Sequence, residues 1–293
     1  MKLDIVIPVK TSLVQFVIEK TIPSIIENLS FNNIYLITCK ENFSKLSILK
    51  SSTIIILDED SIISGLEIKY IRNYLYNKGQ DINRAGWYFQ QFIKLGLSTT
   101  KYINNRYLVW DADNIALRKI NFFSNEGEIL CDTTKENYAT YFLVNEKLIG
   151  LKKQVNFSFI SEHFIFETEK VKELLNKISI NTNNCWWKQI LDSIPENQLS
   201  SSGFSEYELY GNYITKYHKN SFKIRKLSKS RRGTHLLGIN PSKFSLSFFS
   251  IVFDYMSFEE WQKKCEPLPL RYFKISKTFI KAFSRNLFSK QTR

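Results

Sequence analysis

The sequence predicts an α/β fold, an open sheet flanked by helices, on three observations. A short apolar run, "LDIVIPV", opens the chain, and β-branched runs recur at residues 33–39 and 53–57 with a helical segment between the first two. About a hundred residues on, "YLVWDAD" is an apolar strand ending in carboxylates. Strand, helix, strand, strand is the start of a sheet whose parallel neighbours need crossover connections.

Asp4 and Pro8 interrupt the first apolar run, so it reads as a strand closed by Pro8 and Lys10 and not as a signal peptide. Residues 14–29 carry Phe16, Ile22, Ile25, Ile26 and Leu29 near helical spacing. "GLEIKYIRNYLYNKG" and "GWYFQQFIKLGLS" are two further helices, the second ending near Gly96, and the strand of residues 107–113 comes next. In open α/β sheets ligands sit outside the carboxyl ends of the strands, which is where Asp111 and Asp113 fall. Residues 157–166 alternate as a strand does, residues 169–178 form a helix, and "NNCWWKQILDSI" forms a short one closed before Pro195. Ser205 is placed to cap the helix that follows it, with Glu208 three residues on. No internal repeat, low-complexity segment or long linker breaks the chain.

At 293 residues the chain has room for a substantial core. It carries 41 Lys and Arg against 28 Asp and Glu, and the excess is local. Nine basic and no acidic residues lie between Leu209 and Phe253, and seven basic and no acidic between Pro267 and Arg293. Cys39, Cys131, Cys185 and Cys265 are far apart with no C-x-x-C spacing, which favours reduced thiols in a cytosolic setting and no cysteine metal site. The longest late apolar stretch, residues 244–256, contains serines and Asp254 and falls short of the ~20 residues that cross a bilayer. The chain is therefore expected to be cytoplasmic, soluble or peripheral to the membrane.

Asp111 and Asp113 would converge on one side if the strand continues through them. Two anions so close repel unless a cation or a hydrogen-bond network lies between them. Oxygen ligands suit Mg²⁺ or Mn²⁺, which commonly bind through one or two carboxylates plus substrate phosphates. The competing account is an Asx turn at a strand end.

An N-terminal "DIVIPV" strand followed by a strand ending in "DAD" resembles the nucleotide-sugar glycosyltransferases of the GT-A fold, a Rossmann-related open mixed sheet. More narrowly, "GWYFQQFIKL", "VWDADN", "SEHFIF" and "GFSEYELYGNY" together resemble a bacterial family carried as a domain of unknown function and associated with capsule and lipopolysaccharide assembly, over roughly residues 1–240. The resemblance implies a catalytic domain over 1–240, with a donor half to about residue 115 and an acceptor half over 116–240, followed by a helical extension over 241–293. It also implies Asp113 as ligand of Mn²⁺ or Mg²⁺, Asp111 as a nucleotide contact sharing the metal, and Pro8 at a strand end that meets the nucleobase.

Sugar transfer needs charge stabilisation on the departing nucleoside diphosphate and, for inversion, a base for the acceptor hydroxyl. Glu206, at the edge of a loop entering a helix and within the resembled stretch, is the preferred base; a helix-capping role competes for it and for Glu208. Glu162 and His163 lie on an alternating strand, facing opposite ways, where either would touch acceptor or donor sugar; a structural histidine is the competing account. Lys229, Arg231 and Arg232 precede Gly233 and His235, which suits a loop closing over phosphates, or else a solvated basic loop. The string H-x-x-G-x-x-P from His235 is similar to the late His motif of glycogenin-like transferases, whose His completes the metal shell, but departs from it at Asn240 and Ser242. Arg84, Gln90 and Gln91 gather before the metal strand, with Phe89, Phe92 and Ile93 as core, and one of the glutamines is expected to bind donor or acceptor.

From Pro269, Lys274, Lys277, Lys281 and Arg285 share one side of a helical wheel, and Phe273, Phe279, Ile280, Phe283 and Leu287 the other. Such a basic amphipathic helix suits an anionic membrane surface, or docking on the domain. The expectation is a metal-dependent, inverting glycosyltransferase that takes a UDP-sugar and extends a glycan or lipid-linked acceptor in bacterial surface polysaccharide synthesis. A nucleotidyl- or phosphotransferase is the alternative. A nucleic-acid binder is the third reading, disfavoured because the basic residues lie at the end of a neutral body without any nucleic-acid motif.

Overall fold

The computed structural model describes residues 1–180, 185–260, 276, 277, 279 and 280. Among these, ten strands are formed: β1 (Leu3–Pro8), β2 (Phe31–Thr38), β3 (Ile54–Asp58), β4 (Arg106–Trp110), β5 (Asn114–Ala116), β6 (Ile129–Asp132), β7 (His163–Glu167), β8 (Phe222–Arg225), β9 (Lys229–Ser230) and β10 (Tyr255–Ser257). The chain divides into two compact units, the first of residues 1–11, 31–110 and 123–225, the second of residues 12–30, 111–122 and 226–293.

The first unit is built on a five-stranded sheet of order β3-β2-β1-β4-β7. The first four strands are parallel and β7 runs antiparallel to β4, so the sheet is open and mixed, as expected. Parallel strands are covered on both faces, which is why "IVI" of β1 is uniformly apolar and Ile5, Val6 and Ile7 are fully buried. Helices Ala85–Gly96, Thr168–Ser179, Trp186–Ser193 and Glu206–Tyr217 form where apolar periodicity predicts them. From β1 the chain runs outward to β2 and β3, then returns to β4 on the other side of β1. The sheet's switch point therefore lies between Pro8 and Trp110, the carboxyl ends of β1 and β4.

Two expected strands are shortened. The strand of 107–113 stops at Trp110, because Asp111 opens a turn in which its carbonyl accepts from the Asn114 N–H at 3.1 Å. The strand of 157–166 is reduced to β7, while Ser158 forms an isolated bridge with Thr134. The helix Ala139–Ile149, ended by Gly150 in the left-handed region at φ 64°, is not anticipated from the sequence.

The second unit holds a three-stranded sheet of order β5-β10-β9 over a small core of Ile115, Leu236, Phe249, Val252, Phe253, Met256 and Phe258. Ile22–Asn28, the last turns of the first helical segment, latch β5: Asn28 Nδ2 donates to the Ala116 carbonyl at 3.0 Å and Ser24 Oγ accepts from the Ala116 N–H at 3.1 Å. The division differs from the one expected at residues 115 and 240. Tyr255–Ser257 supply the central strand of this sheet. The tail helix expected beyond Pro269 lies almost wholly outside the described residues; of it, the Phe279 ring stacks on Phe248 with centroids 4.5 Å apart.

At the carboxyl end of β3, burial, followed by the charges of Asp60, Asp58 and Glu41, raises the Glu59 carboxyl from 4.5 to about 7, with Arg72 opposing. Asp58 is itself paired with Lys40 at 3.3 Å, and Asp60 accepts from the Ile68 N–H at 2.8 Å. A carboxyl raised on folding holds its proton more tightly in the folded chain. Its contribution is fully present below the unfolded value of 4.5 and lost as pH rises through about 7. Glu59→Gln, which cannot ionise, is expected to match wild type at about pH 4 and to be more stable by on the order of 1–2 kcal/mol at about pH 8, allowing for partial exposure. Urea denaturation at the two pH values checks this, and equal stabilities at the higher one would refute it.

Candidate functional site

The turn bearing Asp111 and Asp113 is held by its main chain. The Asp111 carbonyl accepts from Asn114 N–H at 3.1 Å, the Ala112 carbonyl from Thr21 Oγ1 at 2.6 Å, and the Asp113 carbonyl from Phe258 N–H at 2.8 Å. All three donors belong to the second unit. Asn114 is fully buried and its Oδ1 accepts from Ser257 Oγ, which ties the first residue after the acidic pair to the end of β10. Asp111 and Asp113 are both half-buried.

Strand register brings the late basic segment to the same place. Ser257 of β10 pairs with Asn114 on one side, antiparallel, and Met256 pairs with Ser230 on the other, parallel. Asp113 and Arg231 thus leave the sheet at one end, two strand spacings apart, or roughly 10 Å, a distance that an arginine side chain can cross. Arg231 is paired with Glu259 at 2.9 Å, Lys229 lies over the Tyr255 ring at 5.6 Å, and Arg232 is exposed with no carboxylate partner among the described residues. Gly233 starts the short helix Gly233–Leu237 that carries His235. A Cβ at Gly233 would fall 2.5 Å from the Ser257 carbonyl oxygen and 2.9 Å from the Phe258 ring, so only glycine lets this helix abut the segment that holds Asp113.

The donor set suits a hard divalent cation. Among the described residues no three His, Cys, Asp or Glu side chains form a group that could hold a metal ion. A pair of carboxylates on a rigid turn is the arrangement by which Mg²⁺ or Mn²⁺ binds when phosphate and water complete the coordination.

The remaining expected residues belong to the first unit. Pro8 is the half-buried last residue of β1. His163 is buried, pairs across the strands with Trp110, and stacks on its ring with centroids 5.3 Å apart; Glu162, just before β7, is also buried. Arg84 Nε donates to the Ser201 carbonyl and Nη2 to Ser202 Oγ, and its guanidinium stacks on Trp87 at 4.1 Å, so it clamps the loop before Phe204. Gln90 is half-buried and makes no side-chain hydrogen bond among the described residues, whereas Gln91 Oε1 accepts from the Glu206 N–H at 3.3 Å.

Glu206 is not at an open loop edge. It is the first residue of its helix, 3% exposed, with its carboxylate on Lys94 Nζ at 2.8 Å, and the same ammonium reaches Tyr207 OH at 3.2 Å. The environment is that of a buried ion pair, where the sequence reading expected a carboxylate at a loop edge. The cap is half of a capping box: Ser205 Oγ accepts from the Glu208 N–H at 3.3 Å. Glu208 does not reciprocate, accepting instead from Ser158 Oγ, the Phe159 N–H and Asn212 Nδ2; burial raises its carboxyl despite these bonds.

The model of DUF6492, a family of unknown function, matches residues 1–238. The chain belongs to the DUF6492 family. That span agrees with the stretch of about 1–240 over which the sequence motifs carry a family resemblance. No curated protein matches the sequence. Among solved structures, mouse xyloside xylosyltransferase 1 in its apo form is similar to this chain with a TM-score of 0.45 and 11% identity, covering 91% of this chain and 100% of that one. No helix among the described residues is long and apolar enough to cross a membrane.

In this DUF6492 chain, Thr21, Lys94, Asn114, Ser257 and Phe258 hold functional candidates in place without having been singled out from the sequence. Only Lys94 left a signal, a lone cation inside the otherwise apolar "FIKLG".

Proposed function

We propose that the protein is a metal-dependent glycosyltransferase that takes a nucleotide-diphosphate sugar, with a UDP-sugar favoured, and extends a glycan or lipid-linked acceptor of a bacterial surface polysaccharide. The observation that supports this best is the β5-β10-β9 sheet, which joins the Asp111–Asp113 turn and the Arg231–Arg232 segment at one end of one small sheet. Paired carboxylates beside a guanidinium are complementary to a metal diphosphate. Asp111 and Asp113 would hold Mn²⁺ or Mg²⁺, and the ion when bound would neutralise charge developing on the leaving diphosphate. Arg232, exposed and without a carboxylate partner among the described residues, would bind the phosphates, and its bidentate geometry suits them better than an ammonium would. Glu206, the carboxylate expected as base for an inverting transfer, is paired with Lys94 at 2.8 Å.

Calorimetric titration of the full chain with nucleoside diphosphates, with and without Mn²⁺, tests the reading. One diphosphate is expected to bind only with metal, and Asp111→Asn/Asp113→Asn is expected to weaken that binding by a factor of at least ~100, since both hard anionic ligands are lost. Binding indifferent to both substitutions would remove the metal turn from the account. Product analysis separates the alternative chemistry: sugar transfer releases a nucleoside diphosphate, nucleotidyl transfer pyrophosphate.

A further inference from the structure

We propose that the helix Lys243–Ser250 docks the second unit on an anionic lipid surface. This helix has two apolar faces. Leu246 and Phe249 turn to the core with Ile115, Leu236, Val252 and Phe253, and Phe249 is 1% exposed. Phe244, Phe248 and Ile251, at spacings of four and three residues, form a second stripe that is 83%, 42% and 53% exposed, with one side of Phe248 covered by the Phe279 ring. A helix of a soluble domain ordinarily gives that stripe polar residues, and contiguous exposed apolar side chains mark an interaction surface.

The charge around the stripe selects the occupant. Lys243 stands exposed at the start of the helix, Arg118 donates to the Ser250 carbonyl at its end, and Lys119 and Lys277 are exposed on the same unit. Of the acids that follow the helix, Asp254 and Glu259 are paired with Arg118 and Arg231. Aromatic and aliphatic side chains on a unit that also exposes Lys243, Lys119 and Lys277 match a lipid surface with anionic headgroups. A second copy of the chain would bring the same cations face to face, which disfavours a symmetric dimer. The inference stands without the glycosyltransferase reading.

The experiment is co-sedimentation of the full chain with phosphatidylcholine vesicles containing or lacking phosphatidylglycerol, at low and high salt. Binding is expected only with phosphatidylglycerol and is expected to fall as salt rises. Phe244→Ser/Ile251→Ser and, separately, Lys243→Glu should each weaken it roughly tenfold while leaving thermal unfolding unchanged, because these side chains face outward. Absence of wild-type binding to anionic vesicles would overturn the proposal, as would undiminished binding by the double variant. Wild-type self-association lost in that variant, with no vesicle binding, would assign the face to a second copy instead.

Discussion

Lys94→Met is expected to destabilise the protein by about 3–5 kcal/mol, the usual loss when one partner of a buried ion pair is removed. Lys94 and Glu206 are 4% and 3% exposed, and Lys94 Nζ also lies 4.7 Å from the centre of the Tyr207 ring. Without the ammonium, the Glu206 carboxylate keeps only what its neighbours donate, and an unpaired buried anion carries most of the penalty. The double variant Lys94→Met/Glu206→Leu should therefore recover much of the loss, since well-packed apolar groups often replace a buried pair at little net change. Urea unfolding of the wild type, both single variants and the double gives the coupling. Strictly additive losses would mean that the two residues do not act as a pair. A further variant bears on catalysis: a true base would lose transfer in Glu206→Gln while stability held.

Gly233→Ala is expected to lower metal-dependent nucleotide affinity at least ~10-fold and stability by about 1–3 kcal/mol, through overpacking against a backbone that cannot yield. The added Cβ meets the carbonyl oxygen of Ser257, and Ser257 belongs to the central strand of its sheet, pinned on both sides. Any shift of that segment is passed to the Phe258 N–H bond on the Asp113 carbonyl and to the Ser257–Asn114 side-chain bond. Gly86→Ala is the control: a Cβ there meets nothing within 4 Å, and the helical position favours alanine. Calorimetry on both variants checks the pair of outcomes. Wild-type affinity in Gly233→Ala would show that the turn does not depend on this contact.

The motifs legible in the sequence were those set by local chemistry. The apolar runs of β1 to β4, the helix ending at Gly96, the cap at Ser205 and the acidic pair at a strand end all follow from periodicity and side-chain type over a few residues. Such signals depend on neighbours along the chain, so they survive without knowledge of the fold. Strands β5, β9 and β10, of three, two and three residues, are too short to have any periodicity. They exist because partners remote in sequence complete their hydrogen bonds, and with them came the register that sets Asp113 and Arg231 at one sheet end.

Burial and pairing were likewise beyond local reading. "GFSEYELYG" marks Glu206 as a carboxylate at a helix start but gives no sign of its partner Lys94, 112 residues earlier. By itself the sequence determined an open α/β sheet, the place of the acidic pair after its fourth strand and the basic character of the last third, because composition and short-range pattern suffice for these. Tertiary structure alone decided which basic residues share a sheet with that pair, that Glu206 is neutralised inside the first unit, and that the helix Lys243–Ser250 keeps an apolar face outward. Each of those depends on contacts between segments far apart in the chain, where no local signal specifies the partner.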